Sequence, residues 1–184
     1  MPSIPAISAA ILLAVMLSGA KVGAADASPG PVPEAPNGWS KKEDQSGNTV
    51  YRPDDLAAGE DVQVTIMSGE ASDGDFRKWF DDKVKLLQAG KTPVRTTEPH
   101  ASQIQGTPAL MQAIVCKDED AGAGDKPAAN ARLYRTYLAA HPAGRAEMIV
   151  LSTSSNDLLK KYGKAYQELA AAWAATRVAV KNKE

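Results

Sequence analysis

The sequence predicts an α+β domain: a mainly antiparallel sheet of about six strands with two amphipathic helices packed on it. Three observations lead there. Two segments, 74–90 and 154–184, space their apolar residues at helical intervals. Several short stretches between and before them are rich in Val, Ile and Thr and are bounded by Gly, Pro and Asp. Consecutive strands joined by short loops pair most readily antiparallel, which separates this order from a βαβ repeat.

Before the domain, "AISAAILLAVMLSGA" is an apolar run of signal-peptide length followed by small residues. It predicts export to the periplasm or secretion, with residues 1–27 removed. Cleavage fits equally after Ala24 or after Ala27. The preceding "MPSIPAIS" has no Lys or Arg, unusual for such a segment, and the run is too short and too rich in Ala and Gly for a membrane helix. Leu17-Ser18-Gly19-Ala20 is like a lipoprotein signal with Ala20 in place of the lipidated cysteine, so no stable membrane anchor is expected. "DASPGPVPEAP" then has four prolines in eleven residues. Residues 28–36 are accordingly expected to be a disordered leader, with a single domain over 37–184.

Within the domain, "NTVYRP" at 48–53 is the first strand candidate. In "DVQVTIMS" at 61–68, Val62, Val64 and Ile66 alternate with Gln63 and Thr65, as in a strand with one covered face. The helix at 74–90 follows, with Phe76, Trp79, Phe80, Val84 and Leu87 on one stripe, Asp73 or Asp75 as its cap and Gly90 as its stop. Neighbours Trp79 and Phe80 differ by about 100° around the axis, so one of them must lie at the edge of the stripe. Four further strands are expected at 93–104, interrupted by Pro99, and at 108–118, 129–140 and 144–154. The terminal helix carries Leu158, Leu159, Tyr162, Tyr166, Leu169 and Trp173 on one stripe, capped by Ser155 or Asn156. Gly163 inside it suggests a close approach to the sheet.

The 184 residues are 43% apolar and 23% charged, with a net charge of -1. That balance suits one globular domain and gives no basic field for nucleic acid or an anionic membrane. Catalytic signatures are missing. His100 and His141, the two histidines, have no G-x-S-x-G context and no zinc-ligand spacing around them. Cys116, the sole cysteine, reads as a structural thiol at the end of an apolar strand; a reactive thiol and a disulfide-linked dimer are the minority readings. "KDEDAGAGDKPAAN" reads as a mobile acidic loop that fits no calcium repeat, and its Gly122 and Gly124 lack a phosphate loop's Lys-Ser/Thr ending. No cofactor is expected.

The pattern "PNGWS", "TVYRP", "VQVTIM" and "GDFRKWF", followed by strands and a terminal helix, resembles the PsbP/Mog1/DcrB-like group of α/β/α sandwich proteins over residues 36–180. The resemblance implies a non-enzymatic binding or assembly module, here exported; its expected partner is an envelope protein or a small ligand, and the chain is expected to be monomeric. An uncharacterised periplasmic enzyme is the alternative. Two binding surfaces suggest themselves. One is an aromatic edge around Trp39, Trp79 and Phe80. The other is the strand hairpin with Arg132, Tyr134, Arg135 and Tyr137, where Arg135 and Tyr137 share one face.

Overall fold

The computed structural model describes residues 31–71, 74–104, 106–117, 132–141 and 145–181. The segment expected to be a signal peptide and the acidic loop lie outside these. Eight strands and two helices follow in the order β1 (Trp39–Glu43), β2 (Thr49–Pro53), β3 (Val62–Ala71), α1 (Phe76–Leu87), β4 (Thr92–Thr96), β5 (His100–Ile104), β6 (Thr107–Lys117), β7 (Arg132–Ala140), β8 (Arg145–Thr153) and α2 (Asn156–Lys181). The strands form one sheet in the order β1-β2-β3-β8-β7-β6-β4, every pair antiparallel. β5 also pairs with β6, so β4 and β5 share its outer edge: β4 lies along Ile114–Lys117 and β5 along Thr107–Met111.

The expectation of about six strands is therefore corrected to eight, for two physical reasons. The candidate at 93–104 is two strands, because proline cannot donate to a ladder and Pro99 falls in the gap between β4 and β5. β1 was not expected at all: "WSKKE" buries no residue, so it lacks the apolar alternation that marks a strand.

The helices cover opposite faces of the sheet. On one face, α2 packs Leu158, Tyr162, Tyr166, Leu169 and Trp173 against Tyr51, Val62, Val64, Ile66, Ile149 and Leu151. On the other, α1 packs Phe80 and Val84 against Leu110, Ile114, Cys116, Leu133, Tyr137, Met148 and Val150. This layering explains the sequence pattern. β8 lies under both helices, so Met148 to Leu151 is a continuous buried run. In β3, Val62, Val64 and Ile66 face α2 and are buried, whereas Gln63 and Thr65 face the other way and are only half-buried.

Asp75 caps α1, its side chain accepting from Arg77 N at 2.8 Å and Lys78 N at 3.3 Å. Ser155 Oγ accepts from Leu158 N at 3.2 Å and starts α2 in the same way. A Cβ on Gly163 would meet no atom within 4 Å, so the close approach suggested by that glycine does not occur. At Gly69 the reverse holds: next to the register shift in β3, an added Cβ would lie 2.9 Å from Glu147 Cγ. Residues 31–36 do not behave as a free leader. Val32 and Ala35 pack on the α2-side core, and Tyr51 Oη donates to the Pro33 carbonyl at 2.7 Å. The packed chain thus begins about five residues before Asn37.

Candidate functional site

Of the residues expected on the two binding surfaces, Trp39, Trp79, Phe80, Arg135 and Tyr137 do not form an exposed patch. Phe80 and Tyr137 are both fully buried in the core beneath α1, so neither can meet a partner at the surface. Trp39 lies on the other side of the sheet, edge-on to Tyr162 with ring centroids 5.6 Å apart. Trp79 is the half-buried member of the Trp79/Phe80 pair, at the edge of the stripe. Its Nε1 donates to Glu70 at 3.1 Å, and Lys83 joins the same carboxylate. Arg135 is half-buried under the end of α1, where Nη1 donates to the Leu87 carbonyl at 2.5 Å. It thereby answers the negative end of the helix dipole.

What the fold does assemble is a groove on the outer flank of α1. After Leu87 the helix closes with Gln88 N bonded to Val84 O and Lys91 N bonded to Gln88 O. Gly90 takes the left-handed conformation at φ 78°, which a residue with a Cβ adopts only under strain. The chain turns at once into β4, and β4 pairs with the end of β6. α1 supplies one wall with Asp81, Asp82, Lys85, Leu86 and Gln88, β4 the other with Pro93 and Thr96, and Gln112 and Ile114 of β6 form the floor. The space is open to solvent and measures about 740 Å³, within the size range of small-molecule sites.

Two large apolar side chains are strongly exposed among the described residues, Leu86 and Val94, at 66% and 48%. Leu86 lines the groove and Val94 stands in β4, its rim. Val94 is thrown out of the ladder because the register shifts between Pro93 and Arg95. Beneath, Gln112 Nε2 donates to Thr97 O at 2.9 Å and ties the floor to the end of β4. Leu86 did carry a signal in the sequence, being a large apolar residue off the buried stripe of its helix. Val94 carried none, because its exposure depends on the bulge.

Cys116 lies buried on the α1 side of the sheet. Burial pushes its thiol up from the ordinary value, against weaker opposing effects of Arg135 and Lys91, so at neutral pH it is a protonated, poor nucleophile. His141 stacks on Phe76 at 5.1 Å, while His100 is exposed on β5. Among the described residues no three His, Cys, Asp or Glu side chains converge as metal ligands, and no helix is long and apolar enough to cross a membrane.

No family model and no curated protein matches the chain. Solved structures do match it. One is the crystal structure of PA94, a protein of unknown function from Pseudomonas aeruginosa, 12% identical, with a TM-score of 0.44 over 72% of this chain and 94% of that one.

Proposed function

We propose that this chain is an exported, non-enzymatic binding or assembly module of the bacterial cell envelope, and that it makes its protein or ligand contact through the groove between α1 and β4. The observation that carries this reading is Leu86, strongly exposed in one wall of the depression, with the exposed Val94 on β4, the strand that supplies the other wall. Apolar side chains held in water beside a concavity gain by being covered, whereas singly scattered ones need no explanation. Export is supported by the apolar run at residues 6–20 followed by small residues. The non-enzymatic character is supported by the lack of any nucleophile-base or metal-ligand pattern in the sequence, and by its resemblance to the PsbP/Mog1/DcrB-like group.

The test is crosslinked capture from an envelope fraction with wild-type protein, Leu86→Asp, and Lys164→Glu on the exposed side of α2. The expected result is a defined partner that is lost with Leu86→Asp and kept with Lys164→Glu, both variants being folded by circular dichroism. A partner kept by Leu86→Asp would remove the groove from the interface.

A further inference from the structure

Taking the groove as a binding surface, we infer that its ligand class is an anionic amphiphile: an aliphatic body lying over Leu86, Pro93 and Ile114, and a carboxylate head received by Lys85 and Gln88. The charge balance of the groove points to this. Its two acids are already neutralised along α1, Asp81 by Arg77 at 3.0 Å and Asp82 by Lys78 at 2.5 Å. Lys85 has no ion-pair partner among the described residues. Gln88 Nε2 is enclosed yet donates to no acceptor. Lys85 and Gln88 stand three residues apart at the end of α1, a spacing that puts two helical side chains on one flank. Both line the groove, so an unanswered cation and an orphaned donor belong to the same depression as the apolar Leu86, Pro93 and Ile114.

An anion at the C-terminal end of a helix normally faces the negative end of its dipole. Here Arg135 reduces that penalty, because its Nη1 is already bonded to Leu87 O. A carboxylate supplies acceptors for both donors and charge for the lysine, which a neutral head of the same size does not.

The probes are decanoate and decanol, titrated calorimetrically below their aggregation limits at pH 7.5 into the folded wild type, Lys85→Gln and Gln88→Glu. Decanoate is expected to bind wild type about tenfold more tightly than decanol, a difference expected of a charge-assisted contact. Lys85→Gln should bring the two together, and Gln88→Glu should repel decanoate while leaving decanol unchanged. Equal binding of the two probes to wild type, no decanoate binding, or decanoate binding indifferent to both substitutions would overturn the inference. If that happens while Leu86→Asp still abolishes capture of the envelope partner, the anionic amphiphile is wrong and the groove as an interface stands.

Discussion

Tyr162 Oη donates to Asp55 Oδ1 at 2.6 Å, joining α2 to the loop after β2 across 107 residues of sequence. Lys161 completes the clasp, its Nζ 3.1 Å from Asp55 Oδ2 and 4.7 Å from the Tyr162 ring centroid. The Tyr162 hydroxyl and then Lys161 hold the Asp55 carboxyl below its ordinary 3.8, while bonds to Tyr162 and Asp55 push the Lys161 ammonium up to about 12. A depressed carboxylate stabilises the fold above its unfolded-state value and ceases to as the pH falls through the folded one. A raised ammonium contributes below its unfolded-state 10.5 and is lost as the pH climbs towards about 12.

The clasp therefore acts on a plateau between these limits. Tyr162→Phe is expected to lower the urea midpoint at pH 7, with the difference from wild type shrinking as the pH falls below 3.8, the ordinary value at which the unfolded chain takes up the Asp55 proton, towards the lower folded one. Urea titrations of both proteins at pH 7 and pH 3 measure it.

Adjacent aromatics in α1 should differ sharply. Phe80 is fully enclosed, so Phe80→Ala leaves a cavity and is expected to cost about 3–5 kcal/mol. Trp79 is half-buried and held by Glu70 and Lys83 at the surface, so Trp79→Ala should cost less, about 0.5–3 kcal/mol. Equilibrium unfolding ranks the two.

Gly163→Ala is expected to stabilise the protein by about 1 kcal/mol, the helix-interior difference between the two residues. Nothing within 4 Å opposes the added methyl group. A rise in the melting temperature of a few degrees, about 2–8 °C, is the readout.

Cys116 is expected to react with a thiol reagent at neutral pH far more slowly in the native protein than in denaturant. Burial both shields it and keeps it protonated. Native and unfolded labelling rates give the comparison.

Both helices were legible in the sequence because a stripe at 3.6-residue spacing is a local property: Phe80, Val84, Tyr162 and Trp173 lie buried where their spacing puts them. β2, β3, β6, β7 and β8 were legible because each has buried residues to alternate or to run together. β1 was not, since an edge strand of Lys and Glu pays no burial penalty for polarity. The site was harder still. Tyr137 looked available because a strand's parity says which residues share a face, not which face a helix covers, and Phe80 because helical spacing says that one of Trp79 and Phe80 lies at the edge of the stripe, not which. The groove joins Leu86, Pro93 and Gln112 from three elements, and only the antiparallel register of β4 on β6 brings them together.

The most direct measurement is site-specific photocrosslinking in intact cells, with a photoreactive residue placed at Leu86, at Val94 and, as a control, at Lys164. The groove account predicts the same discrete adduct from positions 86 and 94 and none from 164. Adducts from 164 alone, or none from 86 and 94 in a folded and exported protein, would contradict it.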